Sequence, residues 1–147
     1  MKITVMGSDH AGLVVGAYAA ELGNQVICHD MDTHKIQSLR RCKIPACDPQ
    51  LRDMLARNKG AGRLTFTHDA IQSITHGELI FITQGTGNPG QDAADCTQVA
   101  WTVKNIHRWG KACKVVFVIA AQPPTIEHRI ALNIDSLRLH AGLLQDS

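Results

Sequence analysis

Lys2-Ile3-Thr4-Val5-Met6-Gly7-Ser8-Asp9-His10-Ala11-Gly12 is the stretch whose reading decides the fold. Lys2 to Met6 is short and β-prone, as a buried strand should be, and Gly7 to Gly12 reads as a turn. Leu13 to Leu22 is apolar with helical character, and Gly23 ends it. Gln25 to His29 predicts a second strand, closed by Asp30. Strand, glycine turn, helix, strand and acid is the order of a dinucleotide-binding βαβ unit. In such a unit the first glycine makes the tight turn and the second lets the backbone approach a pyrophosphate. The third lets helix and strand pack closely, and the acid about 20 residues on accepts from the ribose. Gly7 and Gly12 hold the first and third places here, and Asp30 the acidic one. The second place is Asp9.

Outward from this unit, Asp32 is placed to cap a helix over Thr33 to Arg41. Pro45 and Pro49 bar regular helix between them, and Pro49 suits the first turn of the next helix, which runs to Asn58 before Gly60 and Gly62. Arg63 to Phe66 predicts a third strand, and Thr67 or Asp69 caps a short helix over Ala70 to Ile74. Glu78 to Thr83 and Lys114 to Ile119 are nearly all apolar, as strands covered on both faces should be. Between them lie a glycine-rich loop, Gln84 to Ala93, and a helix over Ala94 to His107. Thr125 to Leu144 reads as a long amphipathic final helix. The alternation predicts one α/β domain over residues 1–147. It is a Rossmann-type, doubly wound parallel sheet of five main strands in the order 3-2-1-4-5, with helices on both faces and right-handed crossovers.

Composition narrows the function classes. A net charge of +2 and one short basic cluster, Arg40 to Lys43, fit a solvated helix end better than a nucleic-acid surface. No apolar run reaches membrane-spanning length, and Met1 running straight into the first strand argues against a signal peptide. Five cysteines without a C-x-x-C pair point to reduced thiols and a cytoplasmic setting, with Cys28 and Cys113 on buried strands. Eight histidines are present, but their spacing suits scattered surface residues rather than a metal centre. No residue earns assignment as a catalytic nucleophile, because such a group is recognised by its spatial partners.

The chain resembles the N-terminal domain of the UDP-glucose and GDP-mannose 6-dehydrogenases over roughly its first 125 residues. The opening strand and turn with Ala20-Glu21-Leu22-Gly23 carry the likeness, as do Cys28 to Asp32 with Lys35-Ile36. Ile44-Pro45 with Asp48-Pro49 and Leu51 is similar to the family's I-P-x-x-E-P-G-L segment. Gly62 to Asp69 follows G-R-L-x-F-T-x-D almost throughout, and Phe81-Ile82 with Gly85-Thr86 resembles V-G-T-P, with Ala94-Asp95 after it. The resemblance implies an NAD site formed by Gly7, Asp9, His10, Ala11 and Gly12 in the turn, with Asp30 and Lys35 beyond the second strand. It adds Gly85 and Thr86 after the fourth strand and Ala121 after the fifth.

Departures fall within that set. Asp9 replaces the middle glycine, His10 a tyrosine, Gly87 a proline, and Ala121 a threonine that the family keeps near its reaction centre. The family's nucleophilic cysteine, with its lysine and asparagine helpers, belongs to a later domain, so the resemblance implies that residues 1–147 are not catalytic alone. Asp9 beside a pyrophosphate, at about 5 Å and an effective dielectric near 20, would be repelled by roughly 3 kcal/mol per charge pair before screening. NAD binding is therefore expected to be weak or absent, and capping of the following helix is the favoured structural role for Asp9. Asp30 reads equally as a ribose acceptor favouring NAD over NADP and as a retained strand-end carboxylate, and Thr86 as a cofactor contact or a turn hydroxyl. Two functions stay open: an NAD-binding module of a nucleotide-sugar 6-dehydrogenase, and a stand-alone, non-catalytic Rossmann-like module that binds a partner or a nucleotide weakly. Neither nucleic acid nor membrane is an expected partner, and the pattern sets no homo-oligomeric state.

Overall fold

The structure is a computed structural model that describes residues 1–43, 48–83, 101, 104–106, 108, 115–120 and 139–143. Its elements are β1 (Lys2–Met6), α1 (His10–Glu21), β2 (Gln25–His29), α2 (Thr33–Arg40), α3 (Pro49–Gly60), β3 (Leu64–Thr67), α4 (Ala70–His76), β4 (Leu79–Thr83), β5 (Val115–Ala120) and β6 (Leu139–Leu143). All pairings are parallel, in the order β3-β2-β1-β4-β5-β6. The five expected strands stand in the expected order, and β6 extends the sheet beyond β5.

Pleat and register assign the two faces. Val5 lies opposite Cys28 on one side and Phe81 on the other, and Cys28 lies opposite Phe66. These residues share a core with Leu13, Ala17 and Ala20 of α1, Ile36 and Leu39 of α2, and Leu51, Met54 and Leu55 of α3. Side chains alternate along a strand, so Thr4, Met6, Ile27 and Ile80 point the opposite way. There α4 packs on β1 and β2: the Thr4 hydroxyl donates to the Ser73 carbonyl at 2.6 Å, and Ser73 and Ile74 are fully buried. Helices therefore flank the sheet on both faces, which is why most of the buried strand residues are apolar.

Local chemistry explains the helix starts. Asp32 accepts from the His34 and Lys35 amides at 3.0 and 3.2 Å and caps α2. Asp48 accepts from the Gln50 amide, with Pro49 in the first turn of α3. Asp69, not Thr67, caps α4 through the Gln72 amide at 3.0 Å. Small residues set how closely α1 lies on the sheet: a Cβ at Gly16 would come within 2.6 Å of Cys28 Sγ.

One expectation fails. Residues 139–143, read as the end of a long helix, form β6 and pair in parallel with β5 from Val116↔Leu139 to Ala120↔Leu143. Leu139, Ala141 and Leu143 alternate with His140 and Gly142, a strand period inside a run that also tolerates helix. Without β6, the β5 edge would carry unpaired N–H and C=O groups, so pairing overrides local propensity. The rest of that helix, the loop over 84–93 and most of the helix at 94–107 lie outside the described residues, although residues 101, 104–106 and 108 are helical.

Candidate functional site

The chain runs outward from β1 through β2 to β3, then returns to the other side of β1 for β4. Ligands in open α/β sheets bind at the carboxyl ends of the strands beside such a reversal. Gly7 leaves β1 at that point with φ 124°, a conformation that favours glycine, and its amide donates to the His29 carbonyl at 2.8 Å. A Cβ on Gly7 would collide with the Thr83 hydroxyl at the end of β4. One on Gly12 would collide with the Gly7 carbonyl oxygen and lie 3.0 Å from Thr83 Oγ1. Turn, helix and β4 thus meet with no room for side chains at either glycine.

The helix begins at His10, earlier than Leu13, so His10, Ala11 and Gly12 form its first turn rather than a separate loop. His10 is exposed, Ala11 is partly buried and Gly12 is buried.

Asp30 follows β2, and its carboxylate is densely held. Ser8 donates to Oδ2 through its amide at 3.2 Å and its hydroxyl at 2.5 Å, while the Asp32 amide donates to Oδ1 at 3.0 Å. Lys35 Nζ stands 3.4 Å from Oδ2. Burial pushes the Asp30 carboxyl upward, but the Ser8 and Asp32 hydrogen bonds and the Lys35 charge outweigh it and hold the group below its ordinary value. A carboxylate offers about four acceptor positions. Oδ2 is crowded by three donors, so Oδ1 keeps the capacity for a further hydroxyl.

Asp9 corrects the capping expectation. It occupies the N-cap position of α1 with extended backbone, yet its side chain accepts no first-turn amide. Its Oδ1 instead meets Lys35 Nζ at 2.7 Å, in a pair 31% and 37% exposed on the two sides. The Lys35 ammonium, delivered by α2, takes the Asp9 charge in place of the helix amides. Burial works against the charge on Lys35, but Asp9 and Asp30 more than offset it and raise its pKa. Asp9, Asp30 and Lys35 are therefore one cluster at the mouth of the turn, built from three elements. Gly85, Thr86 and Ala121 lie outside the described residues.

Two residues of this arrangement escape the sequence pattern. Ser8 is 1% exposed and anchors Asp30 from 22 residues away; its only signal is a hydroxyl inside the glycine turn. Thr83 is buried, donates to the Met6 carbonyl at 3.3 Å and forms the wall against Gly7 and Gly12. His29 also departs from the surface reading of the histidines. It is 1% exposed, and neither ring nitrogen finds a hydrogen-bond partner among the described residues. Burial lowers its pKa. Cys28 is buried too, and its thiol is pushed up to about 12 by desolvation, which makes it inert as a nucleophile. Among the described residues no group of side chains is arranged to hold a metal ion.

Parallel order, glycine turn, helix N-terminus and strand-end acid together define a Rossmann-type dinucleotide-binding domain. The chain matches the UDP-glucose/GDP-mannose dehydrogenase family, NAD binding domain, over residues 1–141, and it belongs to that family. It is 39% identical over 115 residues to UDP-glucose 6-dehydrogenase TuaD of Bacillus subtilis, a match covering 78% of this chain and 25% of TuaD. It is 34% identical over 117 residues to the UDP-glucose 6-dehydrogenase of Pseudomonas aeruginosa, covering 79% and 26%. Among solved structures, a ternary complex of GDP-mannose dehydrogenase from Pseudomonas aeruginosa superposes with a TM-score of 0.77 at 21% identity, over 96% of this chain and 35% of that one. The UDP-N-acetyl-mannosamine dehydrogenase Cap5O of Staphylococcus aureus gives 0.76 at 16% identity, over 100% and 38%. These structural likenesses establish the fold. The chain spans about a quarter of the length of the curated relatives it matches.

Proposed function

We propose that this chain binds NAD as the dinucleotide module of a nucleotide-sugar 6-dehydrogenase, with affinity lowered by Asp9, and that it does not oxidise sugar nucleotides by itself. The observation that carries the reading is Asp30, fixed by Ser8 beside the crevice where Gly7 and Gly12 leave no side-chain volume. The residues present fit the cofactor at its adenosine end: Asp30 Oδ1 retains capacity for a ribose hydroxyl, and its charge disfavours a 2′-phosphate. At the pyrophosphate the fit is poorer, because Asp9 brings a Cβ and a carboxylate where the fingerprint has neither. Bound NAD would supply the hydride acceptor; Gly7, Gly12, Asp30 and Lys35 would bind and orient it, together with Asp9, His10 and Ala11 around the turn and Gly85, Thr86 and Ala121 beyond it.

Among the described residues, Cys28 is buried against Gly16 and offers this crevice no accessible thiol. Substrate contacts and the reacting groups are accordingly assigned to the part of the relatives that this chain does not span. Free Cys28 and Cys42 suit a reducing, cytoplasmic compartment, and no described helix is long and apolar enough to cross a membrane. The competing reading, a Rossmann-like module that no longer takes the dinucleotide, draws on Asp9.

Calorimetric titration separates the two. Wild-type protein should give weak, saturable one-to-one heat with NAD, and Asp30→Ala should bind at least about tenfold more weakly, the loss of a charge-assisted hydrogen bond. Equal binding by both proteins, or none by the wild type, overturns the NAD assignment. No NADH should form when the purified chain is incubated with NAD and UDP-glucose.

A further inference from the structure

We propose that the Asp9 carboxylate is an internal occupant of the anion position on Lys35, so that Asp9 and the pyrophosphate of a dinucleotide compete for one ammonium. This rests on the NAD reading of the site and adds the way in which its affinity is set.

The pair joins the residue before α1 to the first turn of α2, across the mouth of the glycine turn. Asp9 Oδ1 lies 2.7 Å from Lys35 Nζ, whereas Asp30 Oδ2 lies 3.4 Å from it, so Asp9 is the ammonium's closer partner. Asp32 receives the Lys35 amide at 3.2 Å and fixes where the lysine leaves α2. An N-cap carboxylate ordinarily turns onto the first-turn amides. Asp9 has turned away from them, so the α1 N-terminus keeps its attraction for a phosphate while the neighbouring cation is engaged. The cluster of two carboxylates and one ammonium already carries a net negative charge. A pyrophosphate added to it must either draw Lys35 from Asp9 or accept the repulsion of an anion beside it. Removing the Asp9 charge therefore does two things at once: it ends the repulsion and releases Lys35 to the phosphates. The second effect exists only while Lys35 is present, which distinguishes competition from simple repulsion.

The pair is about one-third exposed, and such pairs contribute little to folding, so variants at both positions should remain folded. Calorimetric titration with NAD of wild type, Asp9→Asn, Lys35→Met and the double variant tests the proposal. Asn keeps the size of Asp and removes its charge. Asp9→Asn should tighten NAD binding in both backgrounds, by about fivefold or more beyond the Lys35→Met gain when Lys35 is present. Adenosine, which carries no phosphate, should bind wild type and Asp9→Asn within about twofold of each other. An equal gain for NAD in both backgrounds, no gain in either, or an equal gain for adenosine overturns the competition. Absence of NAD binding by all four proteins overturns the cofactor reading itself, and the competition with it.

Discussion

Gly12→Ala is the substitution that most directly probes how the turn is built. A Cβ at position 12 would overlap the carbonyl oxygen of Gly7, approach its carbonyl carbon at 2.9 Å and reach Thr83 Oγ1 at 3.0 Å. The first two are backbone atoms and cannot rotate aside. Alanine inside a helix should gain about 0.5–1 kcal/mol over glycine. Overpacking against fixed atoms costs about 1–3 kcal/mol, so the substitution should destabilise by roughly 1–2 kcal/mol net. With a urea slope of about 1–3 kcal/mol per molar, the midpoint should fall by roughly 0.3–2 M. Gly60→Ala supplies the control: it also lies in a helix, and an added Cβ there meets nothing within 4 Å. It should be neutral or stabilising by up to about 1 kcal/mol. Relief of the clash requires α1 to retreat from β1, so NAD binding should weaken in parallel with stability. Urea unfolding in which Gly12→Ala matches or exceeds wild type would refute the close contact of α1 with the turn.

Other perturbations follow from buried groups. His29 has its folded pKa lowered by burial, so the unfolded chain takes up a proton near its ordinary value of about 6.5 that the folded chain resists. Stability is therefore full above about pH 6.5 and falls as pH drops through it, while the depressed Asp30 carboxyl adds a second loss that begins only below about pH 4. Thermal melts of His29→Leu should show the upper limb flattened and the lower one retained; an unchanged upper limb contradicts the assignment. Thr4→Val removes the 2.6 Å bond to Ser73 and leaves that carbonyl facing an apolar side chain, which should cost about 1–2 kcal/mol in urea unfolding. A loss below about 0.3 kcal/mol would show that α4 is not tied to β1 through that hydroxyl.

The fold was legible wherever local chemistry and tertiary context agree. The strands at Lys2, Gln25 and Leu79 are apolar runs beside glycine or acid, and they are buried in a parallel sheet that demands that composition. Asp32 and Asp48 cap helices because each carboxylate needs only amides two or three residues away. Asp9 carries the same local signal and behaves differently, because its competitor is 26 residues downstream on another helix. Ser8 and Thr83 were hidden for the same reason: their roles depend on a fold that brings β1, β2 and β4 together. The strand at Leu139 is not legible in the sequence because its alternation covers only five residues, too few to outweigh a longer helical pattern unless the open β5 edge is known.

The most direct test of the account is where NAD touches the protein. Nitrogen–proton correlation spectra of the labelled chain, recorded as NAD is added, report each amide separately. Dinucleotide binding at the β1–β4 reversal predicts saturable shifts at Ser8, Gly12, Asp30 and Asp32, with Arg57 and Asn58 on α3 unmoved. Shifts centred on α3 or spread evenly over the chain would contradict it, as would unchanged spectra at saturating NAD.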